Sequence, residues 1–280
     1  MCSSKKPRLF TLLFTLWVFL LAWPLFSNTL TTTEIPYRIE HSMPLPKKCF
    51  TQGFDIDKHN LYLSCGLYNG SKLININTLS NKTTLQPLAD KRFAEGLVKY
   101  QDEIYVLDWK SGQVFIHRSS DLSLLKKLKV DHVEQMWGLA IHQNDDDTFL
   151  LSDGSATLQQ RKANDFSLIK RFTITDAQDN LIKHINELEV VGDVLFANVW
   201  QHNDILIIDL AALKQGHNIR VLHSINFSKD IPLIYRFSKR KVLNGIAYDE
   251  RTDCLWLTGK QWGVAMALAL TLPAELQQQA

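Results

Sequence analysis

Between residues 37 and 270 the apolar positions fall in short β-branched and aromatic runs, at residues 60–64, 103–107, 148–152, 194–198 and 254–258, punctuated by Asn, Asp and Gly. No stretch in this interval sustains the 3.6-residue apolar period of an amphipathic helix, so the pattern predicts strands. Ahead of the runs a short phrase recurs, as Phe50-Thr51-Gln52-Gly53, Phe93-Ala94-Glu95-Gly96, Met136-Trp137-Gly138 and Leu243-Asn244-Gly245. With a further start at Ile185, the units begin 43, 43, 49 and 58 residues apart. That spacing matches the blades of a propeller and predicts an all-β, five-bladed β-propeller. Third strands are expected at residues 112–117 and 204–209, and fourth strands at 125–130 and 170–175. The last unit runs out after about three strands, while residues 37–43 have the character of a fourth. The N-terminal strand is therefore expected to complete the last blade and pair its free edge. Residues 274–280 read as a frayed tail.

In a propeller blade the first strand lines the central channel and the second runs back beside it, so the start of one and the end of the other share a rim. The glycines of the phrase suit close backbone approach near the axis. Their neighbours Gln52, Glu95, Trp137, Asn186 or Glu187, and Asn244 should then face one another, with Trp109, Lys110, Asp153, Trp200, Gly259 and Lys260 from the second-strand ends. Each has a structural alternative: a propeller Trp is more often a wedge between blades, Glu95 can accept backbone N–H groups, and Lys260 can be solvated. Convergence of three tryptophans, a carboxylate, a lysine and several amides on one rim favours a site.

The N-terminus carries Lys5, Lys6 and Arg8, followed by an apolar run over residues 9–26 that Thr11, Thr15 and Pro24 interrupt. Residues 1–27 read as a secretory signal or an uncleaved membrane anchor, leaving 28–280 as the propeller domain. The small-x-small pattern before Ser27 is poor, which leans towards a retained anchor. The domain is thus expected outside the cytoplasm, periplasmic or secreted, with membrane attachment through residues 9–26 if the segment stays. Beyond the leader the chain has 28 basic and 29 acidic residues and no basic stripe, which argues against nucleic-acid binding. Cys49, Cys65 and Cys254 remain there, an odd number without C-x-x-C spacing, and a single Cys49–Cys65 bridge is left open. The nine histidines show no H-E-x-x-H spacing, and the acidic stretch after Asn144, Asp145 to Asp147, reads as a turn rather than a cation site. No metal or cofactor is expected, nor is any P-loop, G-x-S-x-G or dinucleotide fingerprint present. A closed ring has no obligatory partner edge, so a monomer is expected. The sequons at Asn69, Asn81 and Asn226 matter where a host glycosylates exported proteins.

Across residues 45–270 the ordered motifs resemble the plant and bacterial type of glutaminyl-peptide cyclotransferase, or glutamine cyclotransferase. They are Phe50-Thr51-Gln52-Gly53, Gly66-Leu67-Tyr68, Phe93-Ala94-Glu95-Gly96-Leu97, Trp109-Lys110, Trp137-Gly138-Leu139 and Ser152-Asp153-Gly154-Ser155, then Asn186-Glu187-Leu188-Glu189, Asn198-Val199-Trp200-Gln201, Leu243-Asn244-Gly245-Ile246 and Thr258-Gly259-Lys260 with Trp262. The resemblance implies a five-bladed propeller that converts the N-terminal glutamine of peptides to pyroglutamate with loss of ammonia. It implies Glu95 as catalytic acid and base, and Gln52, Trp109, Trp137, Asn186, Trp200 and Lys260 as pocket residues. Two departures lie in the first unit, Ile74 where an arginine is expected and Leu63 where an acidic residue is common. Two rival readings stand beside it: a non-enzymatic module that binds a peptide or sugar at the same rim, and a hydrolase pairing Glu95 with Glu187 or Asp153.

Overall fold

The computed structural model describes residues 30–143, 147–214, 216 and 218–277. The leader expected at residues 1–27, and the acidic turn apart from Asp147, lie outside the described residues. Among the described residues no helix is long and apolar enough to cross a membrane.

Five antiparallel sheets form the blades of a ring, as the repeat predicts. Blade I holds Thr51–Asp57, Asn60–Cys65, Lys72–Asn77 and Lys82–Pro87 from the axis outwards; blade II holds Ala94–Tyr100, Glu103–Asp108, Gln113–Arg118 and Leu124–Lys129. Blade III is built on Leu139–His142, Thr148–Ser152, Thr157–Lys162 and Leu168–Thr175, and blade IV on Ile185–Val191, Val194–Val199, Asp204–Asp209 and His223–Asn226. Blade V combines Leu243–Asp249, Cys254–Gly259 and Val264–Leu270 with the N-terminal strand Tyr37–Pro44, which pairs antiparallel with Val264–Leu270 and closes the ring. The second strand of each blade is covered on both faces: every residue of Thr148–Ser152, Val194–Val199 and Cys254–Gly259 is buried. That is why these strands read as continuous apolar runs rather than alternating ones.

Three features escape the repeat pattern. After its third strand, blade IV sends a single 3₁₀ stretch, Leu210–Lys214, and the strand Asn218–Arg220 to the outer edge of blade III, where it pairs parallel with Leu168–Thr175. The chain then returns as His223–Asn226, whose outer edge is covered in parallel by Thr33–Glu34. Together with the long 227–242 connection, this detour accounts for the 58-residue interval. The C-terminal segment is not frayed throughout: Ala274–Gln277 forms a short helix whose Leu276 is buried between blades IV and V. The departures at Leu63 and Ile74 are both core positions, packed with Phe54 and Trp256 across the seam of blades I and V.

The innermost strands of blades I, II, IV and V carry a register shift at their start, between Thr51 and Gly53, Ala94 and Leu97, Ile185 and Leu188, and Leu243 and Ile246. Each bulge falls on the variable neighbour of the repeat phrase. An extra residue leaves the ladder there and re-aims its side chain, so these positions can face the rim without breaking the alternation below them. The glycines meet the next blade at close range. A Cβ at Gly53 would lie 2.3 Å from the Leu97 nitrogen, and one at Gly138 would lie 1.9 Å from the Asn186 carbonyl oxygen. Ser64 Oγ donates to the Glu95 carbonyl, and Ser152 Oγ to the Asn186 carbonyl at 2.6 Å, joining blades I to II and III to IV.

Below the rim, carboxylates brace the channel. Asp55 accepts from the Lys99 N–H at 2.6 Å, and Glu187 accepts from the N–H groups of Phe54 at 3.2 Å and Ile246 at 2.9 Å. Burial raises the Asp55 carboxyl to about 6, against the pull of the Lys99 and Ile56 N–H groups. A raised folded-state value means that the folded protein binds the extra proton. This stabilisation is complete below the ordinary aspartate range and is lost as pH rises through about 6. Asp55→Asn keeps an acceptor for Lys99 without the charge, so it should raise the melting temperature at pH 8, by the equivalent of up to about 3 kcal/mol. The gain should vanish near pH 4 in a thermal-denaturation series; a gain independent of pH would sink this account.

Candidate active site

On the rim opposite those channel carboxylates lies a cavity of about 390 Å³. Gln52, Glu95, Trp109, Trp137, Asn186, Trp200 and Lys260 all line it, together with Phe50, Leu67, Phe93, Lys239 and Arg240. The seven residues singled out in the sequence are thus brought together from all five blades. Other rim candidates are not. Asn244 is fully buried and donates to the carbonyls of Thr51 at 3.1 Å and Gln52 at 3.3 Å, tying blade V to blade I beneath the cavity. Lys110 sits over the Trp109 ring at 4.1 Å, and Asp153 accepts from the Ser155 N–H. Glu187 occupies the place of a repeat glycine and turns down the channel, where both its oxygens are used. Neither partner named for a two-carboxylate hydrolase therefore lines the cavity.

The aromatic walls are held from behind. Trp137 and Trp200 meet edge to face at 6.0 Å, and Trp200 meets His184 in the same manner at 5.7 Å. Gly154, at φ +80°, allows this, since a Cβ there would come within 2.6 Å of the Trp137 ring. Trp109 packs on Phe93 at 5.4 Å and donates from Nε1 to Gln135 Oε1 at 3.2 Å. Phe93 is fixed in turn by the Asp108 carboxylate, which accepts its N–H. On the side of blade I, the disulfide between Cys49 and Cys65 brackets Phe50, Thr51 and Gln52. The third cysteine of the described residues, Cys254, is free and buried.

Glu95 and Lys260 form the polar centre, 4% and 5% exposed. Burial pushes the Glu95 carboxyl well above its usual range; Lys260 opposes the rise, Asp108 adds to it, and a hydrogen bond from the Gln52 amide opposes it again. Burial lowers the Lys260 ammonium to about 8, with Glu95 pulling it back up. Lys260 also stands 4.9 Å from the centre of the Phe50 ring. An acid and a base displaced towards neutrality can exchange a proton near neutral pH at little cost. Three lining residues carry a buried polar atom without a partner among the described residues: Gln52 Oε1, Trp137 Nε1 and Asn186 Oδ1. Such atoms cost about 1–3 kcal/mol each when left unsatisfied, and here they border the cavity, where a bound molecule can pair with them. Among the described residues no group of three or more His, Cys, Asp or Glu side chains converges as a metal site.

Sequence reasoning passed over Phe50 and Phe93, although both open a copy of the repeat phrase, because aromatic residues at a strand start read as core. Lys239 and Arg240 belong to the 227–242 connection, which lies outside the repeat altogether.

The chain matches the family described as Glutamine cyclotransferase over residues 14–270. It is 29% identical over 223 residues to an Arabidopsis thaliana protein named glutaminyl-peptide cyclotransferase, covering 78% of this chain and 66% of that relative's length. A solved structure, the glutaminyl cyclase of Myxococcus xanthus, superimposes with a TM-score of 0.71 at 24% identity, covering 86% of this chain and 99% of that one. At that identity the likeness speaks to the fold.

Proposed function

The chain belongs to the glutamine cyclotransferase family, and from that premise we propose that it converts the N-terminal glutamine of peptides or proteins to pyroglutamate, releasing ammonia. The observation that carries this reading is the buried Glu95–Lys260 pair at the bottom of an aromatic cavity. Cyclisation forms a bond between the substrate's α-nitrogen and its side-chain amide carbon and breaks the bond from that carbon to the amide nitrogen. One proton must leave the first nitrogen and one must reach the second. Glu95, as carboxylate, takes the proton from the attacking amine and, as acid, returns it to the departing ammonia. Its raised affinity for protons suits both halves of that exchange.

Charge develops on the amide oxygen as the tetrahedral carbon forms. The Lys260 ammonium is the cation available to it, and a preorganised donor in such a position is worth about 3 kcal/mol. The indole walls of Trp109, Trp137 and Trp200 would hold the flexible glutamine side chain folded and exclude water, while Gln52 and Asn186 offer their unpartnered oxygens to the substrate's N–H groups. The Cys49–Cys65 disulfide is what an oxidising compartment maintains, and it supports export of the domain.

Mass spectrometry of a peptide beginning in Gln separates the readings. Loss of one ammonia is the expected result. A mass gain matching deamidation would mean hydrolysis, and an intact peptide would leave a binding module.

A further inference from the structure

Two cations at the mouth of the cavity have no part in the cyclisation chemistry. Lys239 and Arg240 line the cavity from the 227–242 connection, both side chains are exposed, and neither has an ion-pair partner among the described residues. The connection is not a loose flap. Tyr235 stacks on Trp262 with planes 12° apart, Trp262 stacks in turn against Phe227, and Trp262 Nε1 donates to the Lys241 carbonyl at 2.8 Å. Lys241 itself is spent over the Tyr235 ring, at 4.7 Å. Ser238 Oγ accepts from the Lys241 N–H at 2.9 Å, so the turn that presents Lys239 and Arg240 is pinned on both sides. The sole acid of the segment, Asp230, is taken by the Tyr37 hydroxyl at 2.5 Å. Among the lining residues Glu95 is the one carboxylate, and it is buried beside Lys260.

Resting on the cyclisation reading, we infer that Lys239 and Arg240 select substrates carrying acidic side chains in the residues that follow the N-terminal glutamine. With the glutamine side chain directed at Glu95, the rest of the peptide must leave through the mouth, past these two cations. A carboxylate there gains an ion pair with each, whereas a lysine meets like charge in the same place. Exposed pairs of this kind are individually weak and screened by salt, so the effect is a preference rather than an absolute requirement.

The test compares three amidated peptides, Gln-Glu-Glu-Ala, Gln-Ala-Ala-Ala and Gln-Lys-Lys-Ala, by ammonia release in low and high salt. The acidic peptide should exceed the neutral one in kcat/KM by roughly threefold to tenfold at low salt, the basic one should fall below it, and high salt should compress the series. In the double variant Lys239→Glu, Arg240→Glu the acidic-to-neutral ratio should invert, with the neutral peptide as internal reference. Equal rates for acidic and neutral peptides in the unaltered protein would overturn the inference while leaving cyclisation intact; ammonia from none of the three would overturn cyclisation, and the inference with it. The nearby side chains of Leu233, Ile234 and Phe237 are exposed, Phe237 by 93%, but do not line the cavity. Binding to phosphatidylglycerol vesicles that the double variant abolishes, together with a flat peptide series, would assign the cations to a membrane surface instead.

Discussion

Glu95→Gln should retain the fold and bind a Gln-initiated peptide, yet lose turnover by about a thousandfold, the scale of a removed general acid–base. The substitution is close to isosteric, and its amide oxygen can still accept from Gln52, so packing around the bulge between Ala94 and Leu97 is preserved. What disappears is the proton exchange. The pH dependence gives a second readout. On the proposed mechanism, activity of the unaltered protein should fall as pH drops through the raised Glu95 range, where the carboxylate takes up a proton and no longer serves as base. It should fall again above about 8, where Lys260 loses its proton. Removing the Glu95 charge also removes the attraction that holds that proton on Lys260, so the residual activity of the variant should lack the acid limb and decline at lower pH on the alkaline side. Steady-state kinetics across pH 5–10 would check both; near-normal kcat in Glu95→Gln would remove Glu95 from the mechanism.

The parts of this architecture legible in the sequence are those that repeat. Second strands such as Val194–Val199 are buried on both faces and leave an apolar run that no other element would produce. The phrase ending in Gly53, Gly96 and Gly138 is dictated by backbone contact with the next blade, a constraint that recurs with each blade and so leaves a countable mark. The same logic found Glu95, Gln52 and Trp137, since a residue that varies beside an enforced glycine is free to carry chemistry. It misplaced Asn244 for an equally physical reason: where the ring closes, the variable position is spent on hydrogen bonds to blade I rather than on the pocket. The bulges that aim Gln52 and Glu95 have no composition of their own, and Lys239 and Arg240 lie on a connection fixed by tertiary stacking on Trp262, which no local pattern announces.

Glu187 is where departure from the repeat carries the greatest consequence for stability. All four of the other blades place glycine at the corresponding position, as Gly53, Gly96, Gly138 and Gly245; blade IV places a fully buried carboxylate. Its two oxygens serve N–H groups of blades I and V, so one side chain spans the gap that the missing glycine contact would have closed. Glu187→Ala leaves both N–H groups buried without acceptors and opens a void at the axis. With about 1–3 kcal/mol for each orphaned group, a loss of about 4 kcal/mol is expected, or roughly 10 °C in melting temperature for a domain of this size. Burial pushes the Glu187 carboxyl well above its usual range, despite the two N–H groups and with Asp55 adding to the rise. The folded protein therefore binds the proton more tightly than the unfolded chain. The benefit is full below the ordinary glutamate range and declines as pH rises towards the folded value, so the variant should cost more at pH 5 than at pH 8. Glu187→Gln, which keeps one acceptor and meets the other N–H with its own amide donor, should fall between the two. Thermal and urea denaturation at both pH values would decide the matter: a melting temperature for Glu187→Ala within about 2 °C of the unaltered protein would mean that the ring closes without this brace.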